Sequence, residues 1–191
     1  MVRPQKKRRA RVRNSVAVAA VGALAAGIVS IPAAPAHAAD TITAADQSYF
    51  SYYGLDRARA KGYTGGGVTI AMIDGKVDTS VPELAGADIT VKIPCTINSS
   101  PAVATHGTGV ASILVSTDYG VAPKASLLAY QGTFGADGDQ GGSDCDDPSG
   151  VTKDSQPWLL NQAMNDGAQI INVSASTPNE YKELKWVTAR A

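Results

Sequence analysis

Cysteine and histidine are scarce in this 191-residue chain, which holds two of each. His37 falls in an N-terminal leader, so His106 is the only histidine in the rest of the chain. With no second histidine there and no C-x-x-C pair, we expect no metal site built from these ligands. Cys95 and Cys145 allow one intramolecular pairing, and for an exported chain we predict a disulfide. The alternative is two unpaired thiols.

The N-terminus carries a basic cluster followed by an apolar run. Seven lysines and arginines lie within the first 13 residues, and residues 16–31 are rich in alanine and valine. Residues 36–38 (A-H-A) then match the A-x-A cleavage pattern. We predict a secretory signal peptide over residues 1–38 and a secreted or extracytoplasmic location, without stable membrane association after cleavage. An uncleaved anchor is the alternative, although the run is short for a membrane span.

Basic residues are few once the leader is removed. The remaining 153 residues carry 10 basic and 17 acidic side chains, which gives a formal net charge of −7. Nucleic acids and anionic membranes favour basic surfaces, so this balance argues against both as partners.

Short apolar runs alternate with helical patterns along residues 49–191, which follow a short polar linker at residues 39–48. Residues 68–73 resemble a strand buried on both faces of a parallel sheet. We predict further strands at residues 126–130 and 170–173, and a more peripheral strand at residues 89–93. Helical patterns occupy residues 55–61, the stretch that begins directly after His106, the stretch from Trp158 to Asp166, and a last segment capped by Thr177. This alternation predicts an α/β fold with a doubly wound, mostly parallel sheet.

His106 is the candidate general base of this chain. The unperturbed pKa of histidine is roughly 6.5, so it can act as a general base near neutral pH when a carboxylate fixes its tautomer. Asp74 follows the apolar strand at residues 68–73, and open α/β sheets place functional groups at the carboxyl ends of their strands. A purely structural histidine ahead of an apolar helix is the alternative.

The loop at residues 135–147 is rich in glycine and aspartate. Asp137 and Asp139 form a D-x-D pair that suits calcium, but no glutamate closes the loop as it does in an EF-hand. We expect a solvated loop tethered by Cys145 and no cofactor, with calcium as the alternative.

Four segments together resemble the subtilisin-like serine proteases, or subtilases. Residues 67–74 (G-V-T-I-A-M-I-D) resemble the strand that ends in the catalytic aspartate, and residues 105–111 (T-H-G-T-G-V-A) resemble the histidine motif. Residues 120–123 (G-V-A-P) resemble the segment after it, and residues 166–174 the I-N-x-S strand that lines the substrate cleft.

The resemblance implies a serine endopeptidase that cleaves polypeptides through an Asp-His-Ser triad. Asp74 would orient the imidazole and His106 would be the base. Ser174, Ala175 and Ser176 would lie beside the primary specificity pocket.

Three departures from the family pattern matter. Gly75 and Lys76 follow the aspartate where the family usually has Thr or Ser and then Gly, and Ser176 stands where it often has Gly. No G-T-S-x-A motif for the nucleophile occurs in the chain, and neither Asn172 nor Asn179 matches the oxyanion asparagine. We therefore expect the N-terminal part of a catalytic domain, incomplete at the C-terminus and inactive alone.

Two further readings stay open. A catalytically inactive pseudoprotease would hold a peptide in the surviving cleft without cutting it. A nucleotide-binding α/β protein would use residues 107–112, which nearly match G-x-G-x-x-G, but that motif should follow a buried strand and these residues do not.

Overall fold

A computed structural model of the chain describes residues 41–132, 144–146, 148–150 and 152–174. The leader at residues 1–38, the loop aspartates Asp137 and Asp139, and the helix expected from Thr177 lie outside these ranges. The helices are α1 (Ser48–Tyr52), α2 (Leu55–Ala60), α3 (Pro101–Val115) and α4 (Gln156–Asn165). The strands are β1 (Thr69–Asp74), β2 (Ile89–Lys92), β3 (Ser126–Gln131) and β4 (Ile170–Val173).

Within these residues the strands form one parallel sheet in the order β2-β3-β1-β4. β1 and β3 are the inner strands, and their last residues, Asp74 and Gln131, are paired in register. β2, expected to be peripheral, lies at the outer edge. The carboxyl ends of all four strands point the same way, so side chains that follow them share one edge of the sheet.

Apolar side chains cover the sheet on both faces. One core joins Ile70, Met72 and Leu127 to Ala111 and Val115 of α3. The other core, on the opposite face, joins side chains of β1 and β3 to residues from α4, namely Ala71, Ile73, Tyr130, Leu159, Leu160 and Ala163. Strands buried on both sides account for the continuous apolar runs in the sequence. The expected α/β fold with a doubly wound parallel sheet is confirmed.

α3 begins earlier than the sequence pattern indicated. We placed its start directly after His106, but the helix starts at Pro101, so His106 lies in its second turn. Ser100 caps it, because its Oγ accepts a hydrogen bond from the Val103 N–H at 3.3 Å, and proline suits the first helical position. The prediction was wrong because the serine cap and the proline at the first helical position set the helix start, not the small residues that follow His106.

None of the helices in the described ranges is long and apolar enough to cross a membrane. That result concerns the domain alone, because the apolar run at residues 16–31 lies outside those ranges.

Candidate active site

Asp74 and His106 meet at the carboxyl edge of the sheet. Nδ1 of His106 lies 2.8 Å from Oδ1 of Asp74. The aspartate side chain is only 2% exposed, whereas 54% of the histidine side chain is exposed. An ionised carboxylate only accepts hydrogen bonds, so Nδ1 carries the proton and Nε2 has the lone pair that can accept one. An imidazole held in this tautomer can act as a general base.

The surroundings of Asp74 keep its carboxylate in place. The Gly75 N–H donates to Oδ1 at 2.6 Å, and the Gly132 N–H donates to the Asp74 carbonyl at 2.8 Å. Oδ2 is buried without a hydrogen bond from any described protein atom. Burying a carboxylate is costly unless it is hydrogen-bonded or paired, so the contacts of Oδ1 with Gly75 and His106 carry most of that compensation.

Two glycines let α3 approach the end of β1 closely. A Cβ on Gly75 would collide with Cγ1 of Val103 and lie 2.8 Å from the Val103 carbonyl oxygen. A Cβ on Gly107 would lie 2.6 Å from the Lys76 carbonyl oxygen and 2.8 Å from that of Gly75. Because both residues are glycines, the helix that carries His106 can approach the strand that carries Asp74 this closely.

The segment before α3 is tethered on two sides. The sulfur atoms of Cys95 and Cys145 lie 2.08 Å apart, a disulfide-bonding distance. The buried Gln131 donates from Nε2 to the Ile97 carbonyl at 3.3 Å and to Ser99 Oγ at 3.2 Å. Sequence reasoning missed Gln131. A polar residue that directly ends a buried strand was the available signal, because burying an amide requires hydrogen-bond partners.

Lys76, one of the departures from the family pattern, is exposed and its backbone lies against α3. Hydrogen bonds from the side chain and backbone of Ser80 lower the pKa of Asp78, and the charge of Lys76 makes a smaller contribution in the same direction.

The predicted specificity residues are only partly described. Ser174 follows β4 and is exposed, and its Oγ accepts a hydrogen bond from Asn172 Nδ2 at 2.8 Å. Ala175 and Ser176 lie outside the described residues. β4 pairs with β1, so Ser174 follows the strand next to the one that carries Asp74.

A metal cluster was not expected, and the described residues contain one group of three side chains with suitable atoms. Cys95, Cys145 and Asp154 have these atoms within 4.8 Å of one another. Both cysteines are joined in the disulfide, and a disulfide sulfur is not the thiolate that binds metals. We therefore assign no metal to this group.

The fold and the site together define an α/β protein with a hydrogen-bonded aspartate–histidine pair at the carboxyl edge of a parallel sheet. Residues 65–190 match the model of the Subtilase family. The chain therefore belongs to the subtilase family.

Several named proteins are similar to this chain. Subtilisin E of Bacillus subtilis (strain 168) is 29% identical over 152 residues, in a match that covers 73% of this chain and 36% of that protein. Minor extracellular protease Vpr of the same organism is 30% identical over 154 residues, 73% of this chain and 17% of that protein. Subtilisin of Bacillus pumilus is 28% identical over 152 residues, 73% of this chain and 50% of that protein.

Solved structures agree with this assignment. Prenylagaramide maturation protease PagA superposes with a TM-score of 0.51 at 28% identity, over 71% of this chain and 46% of that one. Patellamide maturation protease PatG gives a TM-score of 0.55 over 72% of this chain and 50% of that one, and its 14% identity supports the fold alone. The chain spans at most about half the length of these relatives.

Proposed function

We propose that this chain is part of an exported serine endopeptidase of the subtilisin type, which cleaves peptide bonds in polypeptides. Asp74 orients the imidazole of His106, and His106 acts as general base and then as general acid. The nucleophilic serine and the oxyanion asparagine are contributed by sequence that these 191 residues do not contain.

The observation that supports this proposal most directly is the 2.8 Å contact between His106 Nδ1 and Asp74 Oδ1. It leaves Nε2 available on an imidazole whose side chain is more than half exposed. A nucleophilic serine hydroxyl would lie next to this nitrogen. His106 would take the hydroxyl proton as the serine oxygen attacks the peptide carbonyl, and would then give a proton to the departing amine. Asp74 would stabilise the imidazolium that forms between these steps.

Export and the substrate class are part of the same proposal. The basic and apolar leader with its A-x-A pattern supports export, as does the similarity to a minor extracellular protease. A polypeptide substrate agrees with the similarity to Prenylagaramide maturation protease PagA.

The test joins the chain in frame to a downstream portion that supplies a G-T-S-x-A segment and the oxyanion asparagine. We expect the joined protein to hydrolyse a peptide substrate and to be labelled by a serine-directed phosphonate. His106→Ala should abolish turnover. Asp74→Asn should reduce kcat by about 10⁴-fold, because the amide leaves the imidazole in the wrong tautomer.

Asp78→Asn is the matched control, because Asp78 is exposed and lies four residues beyond Asp74. It should leave kcat unchanged. Phosphonate labelling of the 191-residue chain alone, or full activity without His106, would contradict the proposed roles. Saturable peptide binding without hydrolysis by the joined protein would instead favour a pseudoprotease.

A further inference from the structure

The segment of residues 95–99, here called the lead-in segment, connects β2 to the cap of α3. It ends directly before Ser100, which caps the helix. An α-helix rises 1.5 Å per residue, so His106 lies about 9 Å along the helix from its cap. Any movement of the lead-in segment therefore carries the imidazole with it, because the helix between them is a rigid element.

Gln131 ties this segment to the strand next to Asp74. Its side chain is 4% exposed and donates to two groups of the lead-in segment, the Ile97 carbonyl and Ser99 Oγ. Its backbone is paired in register with Asp74 at the end of the sheet. Gln131 thus joins the start of the histidine helix to the strand pair that presents the aspartate, in addition to the disulfide that holds Cys95.

Directional hydrogen bonds supplement the glycine contacts, because the Asp78 N–H donates to Thr108 Oγ1 of α3 at 2.9 Å and Gln131 donates to the lead-in segment. Gly75 and Gly107 let the helix press against the end of β1, which fixes how closely the two elements approach. Such contacts between flat backbone surfaces resist compression, but they do not prevent sliding along the helix axis. Hydrogen bonds are directional, so the two that Gln131 donates can oppose that sliding.

We propose that Gln131 is a positioning residue for the Asp74–His106 pair. It touches neither substrate nor reacting atoms, and it acts by holding the lead-in segment so that Nδ1 of His106 stays within hydrogen-bond distance of Asp74. This inference rests on the proposed function, because the alignment of the two side chains matters only if they act together.

The test reads the imidazole directly and needs no nucleophile. The full chain labelled with ¹⁵N in histidine gives signals from two imidazoles, and His37→Asn identifies those of His106. We expect His106 to carry its proton on Nδ1, with a slowly exchanging Nδ1–H resonance. Gln131→Met keeps the side-chain length without the donor, and it should cause loss of this resonance and a change toward the Nε2–H tautomer.

Two further variants make the result specific. Ser99→Ala removes one of the two acceptors of Gln131, so the His106 signals should show the same change to a smaller extent. This variant also tests the proposal if Gln131→Met unfolds the chain. Gln162→Leu is the matched control, because Gln162 lies on α4, against the opposite face of the sheet. It should leave the His106 signals unchanged.

The outcomes separate this inference from the proposed function. An unchanged His106 tautomer in both Gln131→Met and Ser99→Ala would overturn the positioning role and leave the acid–base pair intact. Absence of the Nδ1–H resonance in the unaltered chain would overturn the pair itself.

Discussion

The backbone of Lys76, in the loop after β1, is packed directly against the backbone of Gly107 in α3. A Cβ built on Gly107 would be 2.6 Å from the Lys76 carbonyl oxygen, closer than such atoms approach in proteins. The obstacle is backbone, so it cannot rotate away as a side chain would. α3 can therefore lie this close to the end of β1 only because residue 107 is a glycine.

Gly107→Ala should destabilise the chain by about 1–3 kcal/mol, because the added methyl group overpacks a rigid contact. Gly109 offers a matched control in the same helix, since a Cβ there meets nothing within 4 Å. Gly109→Ala should stabilise by up to about 1 kcal/mol through helix propensity. Urea unfolding followed by circular dichroism measures both, and equal effects at the two positions would contradict the packing argument.

Gly75→Ser introduces a residue type common at this position in the family. Here it should destabilise by about 1–3 kcal/mol, because its Cβ would collide with Val103. Gly66→Ser is the control, since a Cβ on Gly66 meets nothing within 4 Å. Val103→Ala combined with Gly75→Ser should recover part of the loss in thermal denaturation. No recovery would show that the Val103 backbone alone sets the limit.

Removing the disulfide should lower the free energy of unfolding. The two cysteines are 50 residues apart, so the cross-link can remove denatured-state entropy worth up to about 4 kcal/mol. Urea unfolding of Cys95→Ser/Cys145→Ser, with and without a dithiol reductant, measures the difference. The unaltered chain should lose stability on reduction and the double variant should not. If both respond alike, the two cysteines are unpaired in solution.

Stability should fall in acid through Asp166. The hydroxyl of Tyr130, at 2.7 Å, and then the ammonium of Lys92, at 3.1 Å, lower the pKa of this carboxyl below its ordinary value. A lowered folded-state pKa gives stability that is complete above the unfolded pKa, about 4, and is lost as pH falls through the folded value.

Tyr130→Phe should therefore differ from the unaltered chain by a constant amount between pH 7 and about 5, and by less as the pH falls further. Tyr63→Phe is the control, because Tyr63 is 71% exposed. Its difference from the unaltered chain should not change with pH. Urea unfolding across this pH range measures both variants, and a Tyr130→Phe difference that grows in acid would contradict the assignment.

The strands could be predicted from sequence because burial on both faces leaves an uninterrupted apolar record. Residues 68–73 illustrate this, since the predicted strand overlaps β1 (Thr69–Asp74), in which every residue after Thr69 is buried. The roles of Asp74 and His106 came from motifs and remain predictions, although the structure brings the two side chains together.

Contacts between segments that are distant in the sequence could not be predicted, because they produce no local pattern of apolar and polar residues. Gln131 and its acceptor Ser99 are 32 residues apart, and nothing local in either stretch indicates the hydrogen bond between them. The fit of Gly75 against Val103 likewise depends on how a helix and a strand approach each other in space. Sequence patterns report periodicity and composition, whereas these relationships arise only after the sheet has formed.

The strand order also has a consequence for when the domain can fold. β1 and β2 do not pair with each other, and each pairs with β3. A growing chain that has not yet reached Ser126–Gln131 therefore has no partner for either strand, and closing these long loops is slow. Among the described strands, synthesis of β3 is therefore the event that permits the sheet to assemble, and β1 and β2 stay unpaired until Gln131 has been added.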